Sequence, residues 1–411
     1  MSVIDVFSGV FCRPESVVRE VIDRTGYKLV TDRDLVAEAS GLSGMAAGKI
    51  ERAFSAKTSV FNKFTRERER SIAFLRLALA KTLSADNLVI FGFGGLLIPK
   101  EITHVLRVCL IADLKFRTAL ALEEKGLSER DAIKVIQKRD QDCAAWVEFL
   151  FQKPDPWDSS LYDMVIPMDK KAVENAATLM DESVNQKILQ ATEASRQAVE
   201  DLLLAAMVEV AMAEEGHNVG VTANNGVVTL TVNKQVLMLH RLEQELRLIA
   251  DKVEGARSVE IKVGKDYYKT DIYRKYDFKA PSKVLLVDDE REFVETLSER
   301  LLMRQMGSAV AYDGESALHL VNEDEPEVMI LDLKMPGIDG IEVLRRVKRT
   351  HPEIEVIILT GHGSEADGEL CMKLGAFAYL QKPVNIDELS DTVKRANEKM
   401  RKKIKEKKSQ E

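Results

Sequence analysis

The chain is short of several things, and each shortage closes off a class of function. Its four cysteines, Cys12, Cys109, Cys143 and Cys371, are scattered over 411 residues with no CxxC pair. Neither a disulfide framework nor a zinc knuckle is expected, and all four read as reduced structural thiols. No apolar run approaches the length of a membrane span, and the opening stretch, Met1 to Val10, carries Asp5 and lacks the basic start and cleavage site of a secretory leader. No transmembrane segment and a cytoplasmic location follow as expectations. A cationic excess is also missing: 59 Lys and Arg stand against 67 Asp and Glu, a formal net charge of −8, which argues against a general nucleic-acid binder. The six histidines are dispersed. His240 sits in an amphipathic stretch, but no ATP-binding glycine boxes follow it, so it reads as a surface residue and not as the acceptor of a sensor kinase.

What remains is ordinary for soluble globular domains, with 45% apolar and 31% charged residues. The length accommodates roughly two to four domains, each with a core of its own.

The most informative stretch runs from Lys283 to Pro383. Asp288 and Asp289 follow the apolar run Val284 to Val287, Asp332 ends Val328 to Leu331, Thr360 ends Val356 to Leu359, and Lys382-Pro383 follows Ala378-Tyr379-Leu380. Short, wholly apolar runs separated by amphipathic helical stretches predict parallel strands buried on both faces and joined by right-handed crossovers. Ligands of such sheets bind outside the carboxyl ends of the strands, where all of these residues fall. Three carboxylates gathered there repel one another unless a divalent cation is present, and an all-oxygen donor set suits Mg²⁺.

This pattern, with the Met335-Pro336-Gly337 turn and Gly340, resembles the response regulator receiver domain, a flavodoxin-like (βα)5 fold with a parallel five-stranded sheet. The resemblance implies that Asp289 and Asp332 bind Mg²⁺ directly with the backbone carbonyl of Lys334, and that Asp288 does so through water. It makes Asp332 the phosphoacceptor, Lys382 and Mg²⁺ the neutralisers of developing charge, Thr360 the hydroxyl that bonds the product, and Tyr379 the aromatic switch. It also implies a sensor histidine kinase or phosphotransfer protein as partner, and homodimerisation through the receiver as a further association.

Residues 1–190 alternate strands and helices and predict a second α/β layer structure. Thr25-Gly26-Tyr27 with Asp32-Arg33, the stretch Leu88 to Gly95, Arg117, and Gly126 to Ala132 followed by Asp140 resemble the cytidylate-kinase-like branch of the P-loop kinases. The resemblance implies a phosphate-binding glycine loop after the first strand. Counted back from Gly26, that loop reads Phe11-Cys12-Arg13-Pro14-Glu15 and holds none of the family's glycines. Cys143 stands where an arginine would follow Asp140, and Pro167 replaces the usual asparagine. A degenerate, catalytically silent kinase fold is therefore expected.

Residues 192–264 predict an αββαβ order: helix Arg196 to Glu214, strands Val219 to Thr222 and Val227 to Val232 around Asn225-Gly226, helix Gln235 to Val253, and strand Ser258 to Val263. That order resembles the small BON domain. Residues 265–282 read as a linker, 283–400 as the receiver, and 401–411 as a basic tail, a solvated helix end.

No helix-turn-helix, cyclase or phosphodiesterase signature follows Pro383, and no DNA-binding domain is evident. The leading expectation is a response regulator of a two-component phosphorelay whose receiver switches protein contacts of the upstream domains, without enzymatic output. The alternative is a receiver-regulated nucleoside monophosphate kinase.

Overall fold

Val3–Ser8 forms β1, with Val3 and Phe7 in one core and Ile4 and Val6 in the other. Such two-sided burial marks the centre of a covered parallel sheet. The computed structural model describes residues 2–236, 238–265, 267, 281, 283–361 and 364–408. Within it the chain divides into two units, Met1–Thr58 with Glu67–Lys275, and Ser59–Arg66 with Tyr276–Glu411. The expected linker, 265–282, lies almost wholly outside the described residues, as does the end of the basic tail.

In the first unit β1 is joined by β2 (Lys28–Thr31), β3 (Leu88–Phe91), β4 (Val105–Ile111) and β5 (Met164–Pro167) in the order β2-β3-β1-β4-β5, all parallel. Helices Pro14–Thr25 and Val173–Val184 cover one face through Val17, Val21, Ala177 and Met180. Helix Glu67–Thr82 covers the other with Cys143, Trp146 and Val147 of Glu129–Phe151.

Helix Glu193–Glu214 serves two cores. Val199, Ala206 and Val210 join the core of the five-stranded sheet, while Leu204, Val208 and Met212 pack beneath a three-stranded sheet. That sheet is β6 (Gly220–Asn224), β7 (Val227–Val232) and β8 (Ser258–Val263), with β6 and β7 antiparallel and β7 and β8 parallel. Asn225 and Gly226 hold φ of 47° and 81°, the left-handed pair that a tight primed hairpin needs. Helix Leu239–Ala250 completes the αββαβ order and is shorter at both ends than the apolar pattern suggested.

The second unit carries β9 (Val284–Val287), β10 (Ser308–Ala311), β11 (Val328–Leu331), β12 (Glu355–Thr360) and β13 (Ala378–Gln381) in the parallel order β10-β9-β11-β12-β13. Every residue of β9, β11 and β12 is buried. Each large aliphatic side chain so buried contributes about 1.5–3 kcal/mol, which is why these runs take the middle of the sheet. Helices Arg291–Leu302 and Ile386–Lys408 lie over one face, Gly314–Glu323 and Gly340–Thr350 over the other.

The basic tail is partly structural. The buried Glu355 carboxylate accepts hydrogen bonds from Lys403 Nζ at 2.6 Å and Lys399 Nζ at 3.1 Å. Burial alone would push Glu355 up, but Lys403, Lys348 and Lys399 outweigh it and hold the carboxylate below its ordinary range.

Candidate functional site

β9 delivers Asp288 and Asp289 to the carboxyl edge of the sheet, and the neighbouring β11 delivers Asp332 beside them. One carboxylate oxygen from each of the three lies within 4.8 Å of the others. Asp288 and Asp332 are buried and Asp289 is exposed, so the cluster is a pocket with one open side.

Lys382, just after β13, reaches across it. Its Nζ donates to Asp288 Oδ2 at 2.6 Å and to Asp332 Oδ2 at 3.4 Å. Asp332 Oδ1 accepts from Leu333 N at 2.7 Å, and Asp288 Oδ1 from Glu290 N at 3.0 Å. The nucleophile candidate is thus anchored at Oδ1, with Oδ2 on the lysine side.

Charge in the pocket is unbalanced. Burial pushes the Asp288 carboxyl up, Asp332 adds repulsion, and the Lys382 bond offsets this only in part. Burial would push Lys382 down, but its bond to Asp288 and the charges of Asp288, Asp332 and Glu290 hold it above an ordinary lysine. Hard, closely spaced oxygen donors short of positive charge fit a divalent cation with retained waters.

Thr360, fully buried, ends β12, and its carbonyl accepts from Lys382 N at 2.9 Å. Tyr379 sits in β13 opposite Ile358, its hydroxyl buried without a hydrogen-bond partner among the described residues. A Cβ on Gly368 of the preceding helix, Glu365–Lys373, would lie 3.6 Å from the Tyr379 ring. Lys334 is exposed two positions after Asp332.

The first unit's counterpart is the turn between β1 and helix Pro14–Thr25, which spans residues 9–13. It therefore contains a glycine, Gly9, that the count from Gly26 left out. A Cβ there would lie 3.2 Å from Cys12 Sγ, a tight contact, and 3.5 Å from the Arg117 guanidinium, an ordinary one. Arg117 is buried, donates from Nε to the Val10 carbonyl at 2.8 Å, and holds Asp140 bidentately at 2.9 and 2.7 Å. A backbone carbonyl and a carboxylate thus occupy the guanidinium, where a phosphate loop would offer N–H groups to an anion. Phe11 packs with Leu120, Ala121 and Ile136, and Pro14 removes one donor from the helix start.

Residues 284–394 match the response regulator receiver domain family, and residues 8–170 match the cytidylate kinase-like family. The carboxyl-terminal segment is a receiver domain. Over 108 residues it is 45% identical to the transcriptional regulatory protein CpxR of Escherichia coli (strain K12) and to that of Klebsiella pneumoniae, covering 26% of this chain and 46% of each relative. The chain thus spans about half the length of the curated relatives it matches. A solved receiver domain from Clostridium thermocellum aligns at 36% identity over 30% of this chain and 97% of its own, with a TM-score of 0.28.

Two residues of the receiver pocket escaped the sequence reading. Glu290 places a carboxylate oxygen 3.5 Å from Lys382 Nζ, and the Phe293 ring centroid lies 4.4 Å from the same atom. Glu290 directly follows the acidic pair and was visible as a third acid. Phe293 is brought over the lysine by the first turns of helix Arg291–Leu302, a placement no spacing rule supplies.

The kinase-like segment holds one further group of note. Asp5 is 1% exposed on the Phe7 side of β1, with Oδ1 lacking a hydrogen-bond partner among the described residues. A Cβ at Gly95 would fall 1.7 Å from that oxygen, so only glycine leaves it room. Burial pushes the Asp5 carboxyl up from 3.8 to about 7, against the pull of Arg107. Raised above its unfolded value, it contributes stability that is present below about pH 4 and is lost as pH rises through about 7, roughly 1.4 kcal/mol per pH unit. In Asp5→Asn that slope is absent. Unfolding midpoints measured from pH 5 to 8 should therefore fall more steeply in wild type than in the variant, and parallel curves would contradict the assignment.

Proposed function

We propose that the chain is a response regulator of a two-component phosphorelay. In this reading Asp332 Oδ2 attacks the phosphorus of a phosphohistidine on a sensor kinase or phosphotransfer protein. The P–O bond forms as the P–N bond breaks, and its electron pair stays on the imidazole, which takes a proton from solvent. Lys382 neutralises charge on the phosphoryl oxygens, and Thr360 donates its hydroxyl to the acyl phosphate. Asp288, Asp289 and Asp332, with the Lys334 carbonyl, would hold Mg²⁺, which supplies counter-charge for the incoming phosphoryl group.

The observation that carries this reading is the three-carboxylate cluster bridged by Lys382. The added charge of a phosphoryl group draws Thr360 inward and lets Tyr379 follow, altering the face formed by helix Glu365–Lys373 and β13. The output is a change in protein contacts, homodimerisation among them. The occupied Arg117 and the Phe11-filled turn support an upstream domain without phosphoryl transfer and weigh against a nucleoside monophosphate kinase.

Mg²⁺ tests the reading directly. At about a hundred times its Kd it should stabilise the receiver by about 2.7 kcal/mol. Asp289→Asn should remove most of that gain while leaving the fold intact, because Asp289 is exposed. Thermal unfolding with and without Mg²⁺ reads both, and equal gains in wild type and variant would exclude this cluster as the metal site.

A further inference from the structure

Residues 59–66 belong to the receiver's unit although Thr58 and Glu67, their immediate neighbours, belong to the other. Phe61 is 1% exposed and shares a core with Leu285, Val287, Ala317 and Val321. Beside it the Ser59 hydroxyl donates to Asp324 Oδ2. The other Asp324 oxygen accepts from Lys283 Nζ at 3.0 Å, and that ammonium lies 5.7 Å from the Phe61 ring centroid. Lys283 and Asp324 are both buried.

A buried ion pair is weak evidence of anything by itself, because desolvation consumes most of its attraction. Here Ser59 adds a second hydrogen bond to the carboxylate, and an aromatic face lies near the ammonium. The segment is also shaped for the role. Ser59 Oγ accepts from Phe61 N at 3.1 Å, and the single helical turn Asn62–Thr65 is closed by Phe64 N and Thr65 N bonding the Phe61 carbonyl at 2.8 and 3.0 Å. It ends at Arg66, with φ of 50°.

What lies on either side gives the segment its consequence. Upstream, Ala47, Glu51, Arg52, Phe54 and Ser55 line a cavity of about 480 Å³ in the kinase-like unit. Asp142, on the same cavity, accepts from Ala56 N at 2.8 Å. Only Ala56, Lys57 and Thr58 separate that wall from Ser59. Downstream, Glu67 starts the core helix Glu67–Thr82.

We infer that residues 59–66 are a clasp, a piece of the kinase-like segment whose docking surface is the receiver's Lys283, Asp324 and apolar floor, and that it wires the receiver to the cavity wall. The surface is filled by this chain and not by an external partner. Displacing the clasp shifts the wall, and by reciprocity whatever reshapes the wall shifts the clasp. The docking rests on packing alone; its response to phosphorylation rests on the Asp332 reading given above.

Hydrogen exchange of the full chain, read by mass spectrometry, tests both parts. Phe61→Ala should speed exchange across 59–66 about a hundredfold and loosen the peptide around Asp324, with β5 unchanged. Ser59→Ala, which keeps the ring and removes the bond to Asp324 together with the one from Phe61 N, should give the same pattern at smaller amplitude, so the result stands even if Phe61→Ala disturbs the receiver core. In wild type, beryllofluoride with Mg²⁺ should alter exchange in 47–66 together with the stretch that follows Thr360. Exchange of 59–66 at the same rate in wild type and both variants overturns the clasp. A response after Thr360 without one in 47–66 overturns the wiring. If the Thr360 stretch itself is silent, the acceptor reading fails, and the clasp is decided by the variants alone.

Discussion

Asp332→Asn should reduce phosphoryl incorporation from a small-molecule acyl phosphate by at least about a hundredfold, while the protein stays folded. The two halves of that expectation come from the same geometry. Asp332 Oδ1 is held by Leu333 N at 2.7 Å, a bond an asparagine oxygen keeps. What the variant loses is the anionic Oδ2, 3.4 Å from Lys382 Nζ. An amide is not a nucleophile toward phosphorus, so chemistry disappears with the charge. Stability should hold or rise by up to about 1 kcal/mol, since one of three crowded carboxylates is gone. Retention of the label on electrophoresis that separates phosphorylated from free protein, with Mg²⁺ present, checks the first half, and thermal unfolding checks the second. Undiminished labelling of the variant would move the acceptor elsewhere.

Gly340→Ala should do the opposite, damaging the fold and the site together. A Cβ there would stand 2.1 Å from the Asp332 carbonyl oxygen, 2.7 Å from Leu333 Cα and 3.0 Å from the Asp332 carbonyl carbon. These are backbone atoms and cannot swing aside. Gly340 N also donates to the Leu333 carbonyl at 2.9 Å, locking the loop after Asp332 onto the start of helix Gly340–Thr350. A methyl group therefore costs about 3 kcal/mol and displaces the acceptor, and a displacement of roughly 1 Å slows transfer about a hundredfold. Gly337→Ala is the control: nothing lies within 4 Å, and only its φ of 83° is strained, for about 1 kcal/mol. Chemical denaturation of the two variants should separate them clearly. Equal losses would mean that the close approach at Gly340 is not what holds the loop.

The receiver was legible because its signals are local. Val284–Val287 and Val328–Leu331 are unbroken apolar runs, with Asp288 and Asp289 directly after the first and Asp332 directly after the second, and Lys382 directly follows Ala378–Gln381. Parallel pairing in register then brings those ends together without further information. The turn residues Asn225 and Gly226 were readable for the same reason, since their conformation is a property of the residues themselves. What the sequence concealed depends on partners far along the chain. Phe61 lies in a stretch with no apolar period, so nothing local marks it as a core residue of a domain more than two hundred positions away. Asp5 stood out only as an acid among the apolar residues of the opening strand, yet its burial on the Phe7 side of β1 pushes its carboxyl up to about 7. Lys403 read as part of a solvated basic run, and Glu355 turned it into an anchor. Arg117 was noted as retained, but only folding shows that Asp140 and Val10 occupy it.

The central claim is that Asp332 is the switch of the whole chain, and small-angle scattering of the full-length protein with beryllofluoride and Mg²⁺ tests it most directly. Wild type should change its scattering profile, in radius or in association state, and Asp332→Asn should not change at all. If wild type and variant respond alike, or neither responds, phosphorylation at Asp332 does not govern this protein.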